Sequence, residues 1–180
     1  MIPLKEATSI KHKQAERMPF NARMFKGLLS RNEYLMYLHQ QFVLFQTLEK
    51  SELPHSSLQR SRNIQADMEE LKAQGAVSDI VLNSTRAYAD YLSALPAEQL
   101  LPHIYLNYMA LLFGGQMIRK AVPSSGKMYD FENTQEAIQS IRNVQRDEWA
   151  EEVNKGFDFN IQIFEELESK CMEEPIQPAG

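Results

Sequence analysis

The sequence predicts an all-α fold, and three observations support that prediction. Glycine is scarce, with seven in 180 residues and none from residue 28 to residue 74, whereas a β-sandwich or barrel needs turn residues about every ten positions. Apolar residues recur at helical spacing along most of the chain, and helix-capping signals precede several of these runs. The length suits one domain, expected over residues 1–172, with a flexible tail at 173–180.

Periodicity and start and stop signals place the helices in order. A first helix is expected over residues 4–17, and Pro19 ends it. Ser30 and Glu33 have the spacing of a capping box and open a long amphipathic helix, which stops before Pro54. Ser78 is expected to cap a later helix. The other helices are expected over residues 21–29, 60–73, 78–92, 96–122, 133–149 and 156–172.

Composition and charge narrow the class of protein. The net charge of −5 argues against nucleic-acid binding, so an anionic ligand would need a local basic rim. The single cysteine, Cys171, excludes an intrachain disulfide and fits a reducing compartment. No apolar run reaches the roughly 18 residues of a membrane span, and the N-terminus lacks a signal-peptide core. We therefore expect a soluble cytoplasmic protein without nucleic-acid or membrane partners.

The histidines are the candidate metal ligands. Only Glu52 and His55 have the Glu-x-x-His spacing of carboxylate di-iron bundles, which need it on two helices, and Pro54 breaks the helix here. His12 lies in mid-helix, and neutral imidazole is a common ligand of transition metals. Spacing alone leaves His12 open between a metal ligand and a structural residue, and His103 is equally suited to a hydrogen bond in the core.

Gly114 and Gly115 are adjacent inside an apolar helical pattern over residues 109–118. Two glycines cost helix stability, roughly 1 kcal/mol each relative to alanine, so the pair needs a reason. Two reasons remain open at this point. The pair could allow close helix packing, or it could form a kink that lets the backbone approach a large flat ligand.

Three segments together resemble the heme oxygenase family. Residues 4–16 are similar to the family's N-terminal helix, whose histidine is the proximal iron ligand. Residues 103–116 are similar to its kinked distal helix, with the pattern Y-L-G-D-L-S-G-G-Q, and residues 157–167 resemble its final-helix signature. The resemblance implies a single-domain helical bundle, assigns the iron to His12, and matches Lys5 to a lysine that contacts a heme propionate.

The distal segment departs from the family pattern. Ala110 and Leu111 stand where the family usually has Gly-Asp, and that Asp is thought to steer iron-bound dioxygen through ordered water. Leu111 has no polar group to do this. Phe113 replaces a serine and makes the distal side bulkier. Gln139 and Arg142 stand in the region of the family's basic pair for the propionates, so that pair is incomplete.

The resemblance also implies which residues form the site. Heme is a flat apolar disc with two carboxylates, and two helices can sandwich it. The expected catalytic positions are Gly114, Gly115, Ala110 and Leu111. The expected heme-binding residues are Lys5, His12, Tyr105, Tyr108, Phe113, Arg142 and Phe157, with Arg146 as a further cation at the rim. Each aromatic residue in this set could equally be plain core.

The implied activity is the reductive, oxygen-dependent opening of heme to biliverdin, with release of iron and carbon monoxide. Heme would be substrate and cofactor, and a reductase or ferredoxin would supply electrons. Two alternatives remain. One is a heme-binding carrier, sensor or peroxidase-like protein that lacks ring opening because Leu111 replaces the distal Asp. The other is a helical enzyme or scaffold of similar shape without heme.

Overall fold

The computed structural model describes residues 1–173, and every regular element in this range is helical, which confirms the predicted fold class. Residue 173 ends the last helix, and the rest of the predicted tail lies outside the described residues. Short 3-10 turns occupy Ser56–Leu58, Lys127–Tyr129 and Asp147–Trp149. The α-helices are α1 (Leu4–Ala7), α2 (Ser9–Glu16), α3 (Pro19–Phe25), α4 (Arg31–Leu48), α5 (Ser61–Ala73), α6 (Asn83–Ala94), α7 (Ala97–Leu112), α8 (Gly114–Ile118), α9 (Thr134–Val144) and α10 (Ala150–Glu173).

The predicted first helix is divided into α1 and α2. At Thr8 the backbone angles are φ −106° and ψ 0°, and the Thr8 hydroxyl donates to the Leu4 carbonyl at 2.9 Å. A side chain that bonds to the preceding turn in this way competes with the regular helix. Pro19 occupies the first position of α3, where its missing N–H leaves no helical hydrogen bond unmade.

Local capping signals were confirmed where both partners lie close in sequence. Ser30 Oγ accepts from the Glu33 N–H at 3.1 Å, and the Glu33 carboxylate accepts from the Ser30 N–H at 2.7 Å. The prediction that Ser78 caps α6 was wrong, since α6 begins at Asn83. There the carboxylate of Glu166 in α10 accepts from the Asn83 N–H at 3.3 Å, so a distant residue sets the start of the helix.

The main core lies among α4, α5, α6 and α7, and α10 packs across α2, α3, α6 and α7. Its largest buried side chains are aromatic and aliphatic, and include Tyr34, Phe45, Tyr88, Tyr108 and Tyr129. Among residues 1–173, none of the helices combines the length and the apolar character that crossing a bilayer requires.

Candidate functional site

A second apolar cluster, separate from the main core, lies between the N-terminal helices and the pair α7 and α10. We call it the cleft cluster, and its buried members are Leu4, Ala15, Leu106, Val153, Phe157 and Ile161. The N-terminal helices are fastened to it at two points. The Leu4 N–H donates to an Asp147 carboxylate oxygen at 2.8 Å, and the Lys11 ammonium lies 2.5 Å from the Asp158 carboxylate.

His12 lies where α2 passes from the cleft cluster to solvent. Its side chain is 59% exposed, and its ring centroid is 5.8 Å from that of Phe157. Nε2 of His12 is 3.4 Å from the carboxylate of Glu16, one turn further along α2. The imidazole is therefore accessible to a ligand, while an aromatic ring and a carboxylate restrict its orientation.

The helix is interrupted between α7 and α8 at Phe113, whose backbone angles are φ −107° and ψ −82°. The two glycines that follow have different neighbours. A Cβ on Gly115 would come within 2.6 Å of the Tyr129 ring, whereas on Gly114 it would meet only Phe25, at 3.7 Å. Close packing on Tyr129 therefore accounts for Gly115, and Gly114 is the glycine with a partly open side.

An apolar stripe runs along one side of α7 and α8, and Tyr105 connects it to the cleft cluster. Phe113 is 50% exposed and Met117 is 71% exposed. We call this stripe the distal face. Its members lie about one helical turn apart and are partly or fully exposed: Tyr105, Met109, Ala110, Phe113, Gly114 and Met117.

Two of the residues expected in the site turn away from the distal face. Leu111 is 5% exposed and belongs to the main core. Tyr108 is fully buried there, edge-on to Phe45 with ring centroids 4.9 Å apart, and its hydroxyl donates to Glu49 at 3.5 Å. Helical geometry explains this, because residues 108 and 111 share the side of α7 opposite to the distal face.

The basic residues expected to meet the ligand's carboxylates lie at the protein surface. Lys5 and Arg142 are both exposed, and the Arg142 guanidinium lies 5.9 Å from the centre of the Phe113 ring. Burial raises the pKa of Tyr105, and the nearby Arg142 acts in the opposite direction. Arg142 also lines an open groove along α9 with Phe113 and Gln139. Arg142 is thus a cation beside the exposed Phe113 ring, available to an anionic ligand.

A buried polar network behind α7 involves partners that sequence reasoning missed. His103 is fully buried and shares a hydrogen bond of 2.7 Å with the Tyr88 hydroxyl and one of 2.9 Å with Glu152. Burial lowers the pKa of His103. A Cβ on Gly156 would approach His103 Nδ1 to 3.0 Å, so that glycine lets α10 come close to the imidazole.

The network has a consequence for the cleft. It joins α6, α7 and α10 at the level of Gly156, and Phe157 is the next residue along α10. Phe157 and Leu106 of α7 are thereby held together in the cleft cluster. The only sequence signal for this network was the position of His103 in an apolar helix, because its carboxylate partner is 49 residues away.

The fold and the cleft together define a class of protein. The chain is a helical bundle with an accessible imidazole, His12, beside the cleft cluster, and with a cation, Arg142, beside the exposed Phe113. This arrangement leaves an imidazole and a neighbouring apolar surface accessible to a ligand.

Comparisons with known proteins agree with this class. The heme oxygenase family profile matches residues 2–166, and the chain belongs to that family. Heme oxygenase 1 of Synechocystis sp. is 21% identical, over 94% of this chain and 85% of that protein. Heme oxygenase 1 of Gallus gallus is 25% identical, over 92% of this chain and 68% of that protein.

Solved structures share the fold. The Synechocystis heme oxygenase-1 structure in complex with heme has a TM-score of 0.74 at 20% identity, covering 94% of this chain and 92% of that one. The structure of heme oxygenase from Leptospira interrogans has a TM-score of 0.77 at 22% identity, covering 91% of this chain and 97% of that one.

Proposed function

We propose that this protein binds heme between α2 and the distal face and opens the ring oxidatively to biliverdin, releasing iron and carbon monoxide. The observation that carries the proposal is the position of His12, an accessible imidazole next to Phe157 at the edge of the cleft cluster. Membership of the heme oxygenase family supports it.

The chemistry of the residues present fits heme. Histidine is a common protein ligand of heme iron, so the accessible imidazole of His12 would hold it. The porphyrin faces need apolar walls, which the cleft cluster and the distal face provide. The two carboxylates need donors at the rim, for which Lys5 and Arg142 are exposed and available.

On the proximal side, His12 is the proposed iron ligand. Nε2 of His12 lies 3.4 Å from the Glu16 carboxylate, and the Phe157 ring lies beside the imidazole with ring centroids 5.8 Å apart. These neighbours restrict the imidazole before a ligand binds, so less side-chain conformational entropy is lost on binding.

On the distal side, Ala110 and Gly114 are one turn apart and carry the smallest side groups of the face. The helix backbone can approach a flat ligand most closely at these two positions. Tyr105 and Phe113 flank them and are the aromatic members of the distal face, where we propose that they shield a bound ligand from water. Positioning, shielding and rim contacts are thus the proposed tasks of this chain.

Heme itself supplies the redox chemistry, because its iron binds and activates dioxygen. Electrons for the reaction come from a donor protein, for which we propose a reductase or ferredoxin. The single cysteine fits a reducing compartment, and we propose that the protein acts in the cytoplasm.

The test begins with hemin titration of the wild-type protein, His12→Ala and a matched control, His55→Ala, whose imidazole lies outside the cleft cluster. We expect a Soret band in the wild type and in His55→Ala, and a shifted or missing band in His12→Ala. Reductant and oxygen should then yield biliverdin. If hemin gives the wild type no Soret band, the proposal is wrong.

A second function is favoured by one observation. No carboxylate lies on the distal face, and Leu111 is buried in the main core. A distal face without a carboxylate is what we expect of a heme-binding carrier, sensor or peroxidase-like protein. A Soret band that depends on His12, together with intact heme and no bilin after turnover conditions, would select this second function over ring opening.

A further inference from the structure

Every fourth residue of α10 from 152 to 160 contacts α7, and we call this row of contacts the seam. At one end, His103 Nε2 shares a hydrogen bond of 2.9 Å with the Glu152 carboxylate. In the middle, a Cβ on Gly156 would come within 3.0 Å of His103 Nδ1. At the other end, the Asn160 amide donates to the Asn107 amide oxygen at 3.2 Å. Residues four apart lie on one side of a helix, so the seam fixes which side of α10 faces α7.

The neighbouring rows of α10 face the cleft and the N-terminal helices. The residue directly after each seam residue belongs to the cleft cluster: Val153, Phe157 and Ile161. One position further on, Asn154 donates to the Ala7 carbonyl at 3.3 Å, and Asp158 lies 2.5 Å from the Lys11 ammonium. A shift or rotation of α10 against α7 therefore moves the wall of the cleft and these two attachments of the N-terminal helices, which carry His12.

The hydrogen bonds of the seam require a neutral imidazole at His103. The Glu152 carboxylate only accepts, so Nε2 carries the proton and Nδ1 accepts from the Tyr88 hydroxyl at 2.7 Å. The Tyr88 oxygen in turn accepts from the Asn107 amide at 3.1 Å. A second proton on the ring would turn Nδ1 into a donor, and the Tyr88 hydroxyl would lose the acceptor of its own proton. Both groups are fully buried, where a donor without a partner is unfavourable.

Burial lowers the pKa of His103, and the charged groups around it offset this effect only in part. Glu152 of α10 favours the protonated ring, whereas Lys155, one turn further along α10, opposes it. On α6, Tyr88 and Tyr91 stay neutral because burial raises the pKa of both hydroxyls. The usual pKa of histidine is about 6.5, so His103 becomes charged only in mildly acidic solution.

We propose that His103 is a positioning residue for His12, and that its protonation opens the seam and weakens the hold on a bound heme. This inference rests on the proposed function and adds a pH-dependent control of the same site. His103 is fully buried and acts through α10, since the seam sets the place of the cleft cluster and of the N-terminal helices. Heme would be retained at neutral pH and released as the pH falls below about 6.5.

The first experiment measures the rate at which hemin leaves the protein for excess serum albumin, from pH 8 to pH 5. In the wild type we expect this rate to rise about tenfold, which corresponds to a difference of about one unit in the pKa of His103 between the heme-bound and heme-free states. His103→Gln keeps a donor for Glu152 and an acceptor for Tyr88 but does not titrate, so its rate should stay near the neutral wild-type value.

His39→Gln is the matched control for this experiment. Burial also lowers the pKa of His39, yet its ring takes no part in the seam, so this variant should keep the wild-type pH profile. A rise in His103→Gln as large as in the wild type would assign the effect to another group, such as His12, and would overturn the inference. A wild-type rate that does not change with pH would overturn it as well.

The second experiment needs no heme. NMR of the heme-free protein with ¹³C-labelled histidine follows the four imidazoles separately. The centroid of the Phe157 ring lies 5.8 Å from that of His12, so a movement of α10 changes the ring current at His12. We expect the His12 signal to show a second pH step that coincides with the titration of His103 and is absent in His103→Gln.

A His12 signal that shows only its own titration would overturn the inference. Failure of the wild type to bind hemin would instead refute the proposed function. In that case the NMR titration still decides whether His103 controls the position of His12.

Discussion

The substitution Leu111→Asp introduces the acidic residue that the sequence resemblance places at this position, and the structure indicates that it will damage the fold. Leu111 is 5% exposed in the main core. Loss of the buried leucine costs about 2–3 kcal/mol, and a carboxylate without a partner adds to that cost. We expect a total of about 4 kcal/mol or more at neutral pH, from a domain stability of about 5–15 kcal/mol.

The pH dependence of this variant follows from burial of the new carboxyl group. Burial raises the pKa of an aspartate in the folded state above its unfolded value of about 3.9. The variant should therefore be least destabilised below about pH 4 and lose further stability as pH rises through the folded-state pKa. Leu111→Asn has nearly the same shape without the charge, and its loss should not vary with pH in this range.

Urea unfolding followed by circular dichroism from pH 4 to pH 8 measures both variants. If Leu111→Asp loses less than about 1 kcal/mol, with no difference from Leu111→Asn across this range, residue 111 faces water and not the core. In that case residue 111 lies on the exposed side of α7, and its carboxylate would be free to act in the cleft.

Three further predictions concern packing and the buried polar groups. Gly115→Ala should cost about 1–3 kcal/mol in urea unfolding because its methyl group meets the tyrosine beneath it, whereas Gly114→Ala should cost under 1 kcal/mol. The pKa of His103 is lowered by burial, so wild-type stability should fall as pH drops below about 6.5, and His103→Gln should flatten that loss. Arg60 is 4% exposed and donates to backbone carbonyls of two loops, so Arg60→Met should lower stability by about 3 kcal/mol, unlike Arg62→Met at the surface. A thermal midpoint for Arg60→Met within 2 °C of the wild type would contradict the last of these.

Features set by neighbours in sequence could be predicted. The capping pair of Ser30 and Glu33 is separated by three residues, so its geometry is local and the sequence suffices. The start of α6 could not be predicted in this way, because it depends on Glu166, 83 residues from Asn83. The sequence pattern there offered Ser78 as the nearest capping residue, and tertiary contact overrode it.

In the candidate site, too, features that depend on distant residues could not be predicted from the sequence. The resemblance named Tyr105, Tyr108, Leu111 and Phe113 as site residues, and in the structure Tyr105 and Phe113 are on the distal face. Tyr108 and Leu111 belong to the same segment, yet which side of the helix is buried depends on Phe45 and other residues of α4. The two roles of the glycine pair also depended on Tyr129, a partner that no spacing rule identifies.

The contacts of α10 with the N-terminal helices have a consequence for folding during synthesis. Lys11 and Asp158 are 147 residues apart, and Arg23 and Glu168 are 145 apart. While a ribosome is still making the chain, the N-terminal helices have already emerged but their lasting partner has not. The cleft cluster can form only after the final helix has left the ribosome. Until then, the side of α2 that packs against α10 stays accessible to chaperones.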